Sequence, residues 1–166
     1  WPRPTGQTPL LRVRGLRRGL AEPELLMSQV RAALRVAATH PVRIMFPMVS
    51  VLSEWEQVRA MVGEAAEQVG GLPDDFQLGV MVEVPSLALA ADRFAAVVDF
   101  FSIGTNDLTQ YTLAAERGNP ELANLADALH PSVLSLIDRT CRAAAEHGRW
   151  VGVCGEAAGD PLAVPI

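Results

Sequence analysis

An abrupt change from apolar to polar residues in the middle of the chain restricts the fold more than any other feature. The largely apolar run from Val97 to Ile103 is followed directly by Gly-Thr-Asn-Asp at positions 104–107. A strand buried in a parallel sheet has this composition, and its carboxyl end is where such sheets present polar side chains. The pattern predicts a buried parallel strand that ends at a functional site.

Two other apolar runs end in the same way. Residues 79–82 run into Glu83, and residues 150–153 run into Cys154, which Gly155 and Glu156 follow. The carboxyl ends of neighbouring parallel strands lie at one edge of a sheet. We therefore expect an active site in which two carboxylates, an amide and a thiol lie close together: Glu83, Asp107, Asn106 and Cys154.

The order of the predicted elements favours a partial barrel. Strand-like and helix-like segments alternate without hairpin signals, which is typical of parallel sheets with right-handed crossovers. No Gly-x-Gly-x-x-Gly follows a strand, and functional residues at successive strand ends suit a (β/α) barrel. Four strands and a doubtful fifth, Leu10–Leu16, are fewer than the eight of a full barrel. We predict an α/β fold, a partial TIM-type (β/α)8 barrel with four to five parallel strands and crossover helices, as one domain over residues 1–166 with residues 1–9 irregular.

Several local signals place the elements more finely. Pro23 is suited to the first turn of a helix, and Ser53 with Glu56 predicts a capping box for the next one, which Gly70 ends. Leu10–Leu16 would deliver Arg14 to the end of its strand. Residues 107–110 are expected to lead into a polar loop around 116–120.

Composition excludes some classes of protein. The net charge of −5 argues against a nucleic-acid binder, and no apolar run is long enough to span a membrane. Two cysteines far apart in sequence do not form a disulfide framework, so a cytoplasmic location is expected. The first residues do not resemble a signal peptide, and the missing initial Met suggests part of a longer chain.

The predicted site residues have a restricted chemistry. Two ionised carboxylates about 4 Å apart repel by about 4 kcal/mol at an effective dielectric near 20, so Glu83 and Asp107 would share a proton or hold a cation. Two hard oxygen donors suit Mg2+, although either acid alone could equally be a helix cap or surface acid. Asn106 offers an amide donor, and Cys154 can act as an acid or a nucleophile. These residues alone do not identify the substrate.

Four motifs carry a resemblance to a known family. They are Val82–Pro85 (VEVP), Asp99–Leu113 (DFFSIGTNDLTQYTL), Arg117–Asn119 (RGN) and Val153–Glu156 (VCGE). Together they resemble the phosphoenolpyruvate-utilising enzymes, and within these most closely the phosphoenolpyruvate–protein phosphotransferases. The resemblance covers about residues 8–162.

The resemblance implies a role for each residue. Glu83 and Asp107 would ligate Mg2+, which bridges the phosphate and carboxylate of phosphoenolpyruvate. Arg14 and Arg117 would bind the phosphate, and Asn106 would help to bind the substrate. Cys154 would protonate the methylene carbon of the enolate to give pyruvate.

The resemblance also implies partners outside this segment. The phosphoryl group would pass to a phosphohistidine domain of the same full-length chain and then to a phosphocarrier protein, and the full-length protein would be a homodimer. None of His40, His130 and His147 matches the acceptor, so we expect the segment alone to be inactive. Arg12 stands where the family usually has Gly, which puts the Arg14 assignment in question.

Two alternatives stay open on the sequence. The segment could come from a pyruvate phosphate dikinase or a phosphoenolpyruvate synthase, which share the Glu, Asn-Asp and Cys. A module of another class, which binds phosphoenolpyruvate or dimerises without turnover, would keep the same pocket. Turnover needs a phosphoryl acceptor, whereas binding alone needs only Mg2+ and ligand.

Overall fold

The computed structural model describes residue 11, residues 13–163 and residue 165, and within them strands and helices alternate. This part of the chain has four strands: β1 (Arg43–Phe46), β2 (Gln77–Val82), β3 (Phe100–Gly104) and β4 (Trp150–Cys154). Its α-helices are α1 (Leu16–Ala21), α2 (Pro23–Ala37), α3 (Leu52–Val69), α4 (Pro85–Leu89), α5 (Ala91–Ala95), α6 (Thr105–Leu113) and α7 (Pro131–Glu146). Short 3-10 helices cover Pro120–Leu125 and Glu156–Gly159. None of the described helices is both long and apolar enough to cross a membrane.

The four described strands form one parallel sheet in the order β1-β2-β3-β4. Each new strand is added beside the previous one, and the order does not reverse. A doubly wound sheet reverses its strand order at a switch point, whereas a barrel adds strands in one direction. The prediction of an α/β fold with four to five parallel strands of a partial barrel is confirmed.

One face of the sheet packs against the helices. Val80, Val82, Phe101 and Ile103 alternate along β2 and β3, and each is fully buried in a core cluster that also contains Trp55 of α3. Side chains two residues apart on a strand point to the same face, so these four share the helix-covered face. Around them α2 packs against α3, and α7 packs against α4 and α5.

The opposite face carries a cluster of large side chains near the amino ends of the strands. The rings of Phe100 and Trp150 stack with centroids 4.3 Å apart. The guanidinium of Arg43 lies 5.3 Å from the Trp150 ring centroid, and its Nε donates to Oε1 of Gln77 at 2.7 Å. Arg43 therefore lies at the end of the sheet opposite to the predicted site.

The predicted capping box at Ser53 and Glu56 is wrong. Helix α3 begins at Leu52, so Ser53 lies inside its first turn. The carboxylate that caps the helix belongs to Glu54, which accepts from the backbone N–H groups of Ser50 and Val51 at 2.8 and 3.3 Å. At the other end Gly70 has a left-handed conformation (φ 104°), which agrees with the predicted stop.

Two other local predictions are corrected. Of the segment Leu10–Leu16, the described residues contain no strand, because Gly15 has φ 57° and Leu16 already begins α1. The polar loop expected after Asp107 is preceded by a helix, α6, whose first turn contains Asp107. Buried Leu108 and Thr109 hold this helix against the fold. Position 12 lies outside the described residues, and so does the irregular segment 1–9.

The packing of Phe100 over Gly79 predicts opposite effects for two alanine substitutions. A Cβ on Gly79 would lie 2.6 Å from the Phe100 ring, whereas a Cβ on Gly63 in α3 would meet no atom within 4 Å. We expect Gly79→Ala to lower the free energy of unfolding by about 1–3 kcal/mol through overpacking. Gly63→Ala should raise it by about 0.5–1 kcal/mol, because Ala is the better helix former. Urea titrations of the two variants test this, and equal effects would contradict the packing argument.

Candidate active site

The sheet register places three strand ends in one row. Val82 pairs with Ile103, and Gly104 pairs with Cys154. Glu83 follows Val82, and a Cβ on Gly104 would lie only 3.1 Å from the Cβ of Glu83. Glu83, Gly104 and Cys154 therefore lie side by side, with no side chain on the central position.

The carboxyl group of Glu83 is almost completely buried, with 4% of the residue exposed. Its Oε1 accepts a hydrogen bond of 2.6 Å from the backbone N–H of Met48, just beyond β1. Burial raises the pKa of Glu83 to about 7, and the neighbouring Asp107 carboxyl adds to the increase. The Met48 N–H and the charge of Arg14 act in the opposite direction. Protonated and ionised forms of Glu83 are therefore both accessible near neutral pH.

Arg14 forms an ion pair with Asp107, with Nη2 2.7 Å from Oδ1. Arg14 precedes Gly15 and α1, and the N–H of Leu16 donates to the carbonyl of Pro47 at 3.0 Å. The left-handed Gly15 also packs closely, since a Cβ there would lie 2.8 Å from Met48. The segment that carries Arg14 is thus tied to the carboxyl end of β1.

The thiol of Cys154 is hydrogen-bonded to two residues of β3. Its S–H donates to the carbonyl oxygen of Ile103 at 3.2 Å, and the hydroxyl of Ser102 donates to its sulfur at 3.4 Å. Gly155 follows with φ 90°, and a Cβ there would lie 2.5 Å from Oγ1 of Thr105. The loop after β4 therefore packs closely against the start of α6, and the contact leaves no space for a side chain at position 155.

Asn106 and Arg117 meet at Glu156. Oδ1 of Asn106 accepts from the N–H of Glu156 at 3.1 Å, which leaves its NH2 group as the donating end of the amide. Nη2 of Arg117 lies 3.0 Å from Oε1 of Glu156, and both side chains are largely exposed. These contacts line one side of an open cavity of about 270 Å3. All six predicted site residues thus lie around the carboxyl ends of the four strands β1 to β4.

The carboxylate pair fits a magnesium ion. No group of three or more His, Cys, Asp or Glu side chains among the described residues could hold a metal ion. Glu83 and Asp107 instead offer two neighbouring carboxylates, one of them buried and hydrogen-bonded. Mg2+ commonly binds through one or two carboxylates and takes its remaining ligands from water and substrate oxygens. The donor set is therefore of the type that Mg2+ prefers.

Sequence reasoning missed three residues of the site. Met48 contributes only its backbone N–H, which no side-chain pattern reveals. Ser102 could have been found, because it lies two residues before Gly104 and so shares its face of β3. Gln110 was placed only in a stretch that leads into a polar loop, whereas it is a buried residue of α6 that donates to Asp107.

A parallel, barrel-ordered sheet with carboxylates and a thiol at its strand ends defines an α/β barrel-type site. A sequence model of the family described as "PEP-utilising enzyme, PEP-binding domain" matches residues 2–166. The chain belongs to this family.

The relatives found by sequence comparison agree with this assignment. The chain is 48% identical over 163 residues to the multiphosphoryl transfer protein of Rhodobacter capsulatus, covering 98% of this chain and 20% of that protein. It is 44% identical over 167 residues to the phosphoenolpyruvate-protein phosphotransferase of Bacillus subtilis and 45% identical over 170 residues to that of Streptococcus equinus. Each of these two matches covers 98% of this chain and 29% of the relative. The chain spans less than a third of the length of these relatives.

A solved structure supports the fold. The crystal structure of the citrate synthase SbnG superposes with a TM-score of 0.53 at 17% identity, and the match covers 81% of this chain and 55% of that chain. At this identity the likeness concerns only the fold. It is consistent with the partial barrel described above.

The raised pKa of Glu83 predicts how stability depends on pH. Between about pH 4.5 and 7 the folded chain keeps a proton that the unfolded chain has lost, so this group makes stability fall as pH rises. The unmodified, metal-free protein should therefore lose up to about 3 kcal/mol of unfolding free energy across that pH window. Glu83→Gln should abolish this loss. Urea titrations in EDTA at pH 5 and pH 8 measure it. We expect the variant to gain stability relative to the unmodified protein at pH 8, and a pH-independent difference would refute the assignment.

Proposed function

We propose that this chain is the substrate-binding part of a phosphoenolpyruvate–protein phosphotransferase. The observation that carries the proposal is the row formed by Glu83, Gly104 and Cys154, which places a carboxylate beside a thiol with an open position between them. The reaction would transfer the phosphoryl group of phosphoenolpyruvate to a protein histidine and release pyruvate. In the sugar phosphotransferase system this is the first step.

The charged residues would bind the substrate before transfer. Guanidinium groups bind phosphate oxygens through paired hydrogen bonds. Arg14 pairs with Asp107, and Arg117 pairs with Glu156, so both guanidinium groups are at the site. An exposed ion pair such as Arg117–Glu156 contributes about 0–1 kcal/mol. Arg117 can therefore exchange Glu156 for a phosphate at little cost. The NH2 group of Asn106 would donate to a substrate oxygen.

Glu83 and Asp107 would hold Mg2+, which when bound would neutralise the negative charge of the phosphate and carboxylate oxygens of the substrate. Ionised Glu83 is needed for this role. Because its pKa is raised to about 7, we expect the protein to release a proton as the ion binds below that pH.

Transfer breaks the bond between phosphorus and the enol oxygen, and the electron pair of that bond stays on the oxygen as an enolate. The phosphoryl group forms a new bond to the nitrogen of the acceptor histidine. Cys154 then gives its S–H proton to the methylene carbon of the enolate, which yields pyruvate and a thiolate. The hydroxyl of Ser102, which donates to the sulfur at 3.4 Å, would stabilise that thiolate.

The proposal includes the partners that such a reaction requires. The acceptor would be a phosphohistidine domain of the same full-length chain, and the next acceptor would be a phosphocarrier protein. The greater length of the phosphotransferase relatives leaves room for such a domain. Both cysteines are free thiols, which suits a reducing cytoplasm, and we propose a homodimer for the full-length protein.

Replacing the proposed acid tests the mechanism. In the full-length protein, Cys154→Ala should lower kcat for pyruvate formation by about 10²- to 10⁴-fold, the usual contribution of a general acid. Binding of oxalate, which resembles the enolate, should persist in the presence of Mg2+. The matched control is Cys141→Ala, since Cys141 is exposed on α7. A loss below about threefold for Cys154→Ala would remove this residue from the mechanism.

Replacing the carboxylates tests the metal site. Glu83→Gln and Asp107→Asn should each weaken Mg2+-dependent oxalate binding by more than about tenfold, since even an outer-shell partner costs at least that much. Isothermal titration calorimetry of the full-length protein with and without Mg2+ measures the effect. Glu64→Gln, on the exposed side of α3, is the control. Oxalate binding that is independent of Mg2+ in the unmodified protein would contradict the proposal.

A further inference from the structure

Gln110 is buried, and both the NH2 group and the oxygen of its side-chain amide form hydrogen bonds to residues of the site. It is 5% exposed and lies on α6, three residues after Asp107, so that the two side chains share a face of the helix. Its Nε2 donates to Oδ1 of Asp107 at 3.2 Å. Its Oε1 accepts from the backbone N–H of Arg117 at 2.7 Å.

At the Asp107 end, Gln110 contributes to fixing the carboxylate. Oδ1 of Asp107 receives two hydrogen bonds, one from Gln110 and one of 2.7 Å from Arg14. Two donors on one oxygen restrict rotation of the carboxylate and give its second oxygen a defined direction. Partners of this kind orient a metal-ligating side chain, although they do not touch the metal.

At the other end, Gln110 fixes the start of the Arg117 side chain. Helix α6 ends at Leu113, and the next residue, Ala114, has a left-handed conformation with φ 51°. The chain turns back there, so that the N–H of Arg117 reaches Gln110. The guanidinium of Arg117 is largely exposed, and its ion pair with Glu156 is exposed as well. The partly buried bond to Gln110 is therefore the firmer of these two restraints on Arg117, because water competes more strongly with the exposed ion pair.

A closed ring of contacts results. Asp107 bonds to Gln110, Gln110 to Arg117, Arg117 to Glu156, and the N–H of Glu156 to Asn106, which adjoins Asp107 in the chain. Gln110 is the buried member of this ring, and it joins the metal side of the site to the phosphate side.

We propose that Gln110 is a positioning residue that orients Asp107 for the metal ion and Arg117 for the substrate phosphate through a single amide group. The inference rests on the proposed function, because it assigns Gln110 a role in the same site. It differs from a purely structural role in one respect. Loss of Gln110 should change the affinities for Mg2+ and for phosphoenolpyruvate more than it changes kcat at saturation.

Two variants of the full-length protein separate the two bonds. Gln110→Met keeps the length of the side chain and removes both hydrogen bonds. Gln110→Glu keeps an acceptor for the N–H of Arg117 and replaces the donor to Asp107 by an oxygen. Gln57→Met, at an exposed position of α3, is the matched control. Thermal unfolding of each variant shows whether it is folded.

The first measurement is calorimetric titration of oxalate at a series of Mg2+ concentrations. For Gln110→Met we expect the Mg2+ concentration at half-saturation to rise by about 10- to 100-fold, the usual effect of losing an outer-shell partner. The second measurement is steady-state pyruvate formation at saturating Mg2+. There the KM for phosphoenolpyruvate should rise in Gln110→Met and stay within about threefold of the unmodified value in Gln110→Glu.

The outcomes separate this inference from the function on which it rests. If the unmodified protein shows no Mg2+-dependent turnover or oxalate binding, both are overturned. If the unmodified protein is active, and Gln110→Met keeps the Mg2+ half-saturation and the KM within about threefold, only the role of Gln110 is overturned. A reduced melting temperature with a lower kcat and unchanged affinities would also overturn it. Should Gln110→Met not fold, an unchanged Mg2+ half-saturation in Gln110→Glu would overturn the bond to Asp107.

Discussion

Parallel pairing of β3 with β2 on one side and β4 on the other brings three strand ends to one level of the sheet. A shift of the register by one residue would turn every side chain of the moved strand to the opposite face. The buried alternation of Phe101 and Ile103 against the helices prevents such a shift, because it would place Phe100 and Ser102 in the core. The hydrophobic core thus determines the distance between the carboxylate of Glu83 and the thiol of Cys154.

The burial of Glu83 opposes folding, and the arrangement is understandable only through the chemistry of the site. A buried carboxyl loses hydration, and a second carboxyl beside it disfavours the ionised form further. The N–H of Met48 offsets this only in part, since the pKa remains raised to about 7. A cation bound by Glu83 and Asp107 would remove both the repulsion and the need for a proton. On the proposed function, stability at this position would be given up for a site that is ready to receive positive charge.

The parts of the site that lie at strand ends can be predicted from the sequence. The parts that depend on the hydrogen bonds of individual side chains cannot. Glu83 and Cys154 could be placed because an apolar run that stops at a polar residue has few other interpretations in a parallel sheet. The start of α3 was misplaced because Ser53 matches a capping pattern, whereas Glu54 makes the bonds with help from Arg17. Gln110 was missed because the β-branched and aromatic residues around it weaken the helical signal, and burial against the fold overrides that propensity.

The residues of the site differ in how firmly the fold holds them, and this difference follows the order of the proposed reaction. Cys154 ends a strand and is hydrogen-bonded to Ser102 and Ile103, so the proposed proton donor is fixed by the sheet itself. Arg117 lies on a loop and is held through its backbone by Gln110, while its guanidinium pairs with Glu156 in solvent. A phosphoryl group must leave the site, whereas the enolate must stay until it is protonated. An exposed cation at the proposed phosphate position and a hydrogen-bonded acid at the proposed enolate position would satisfy both requirements.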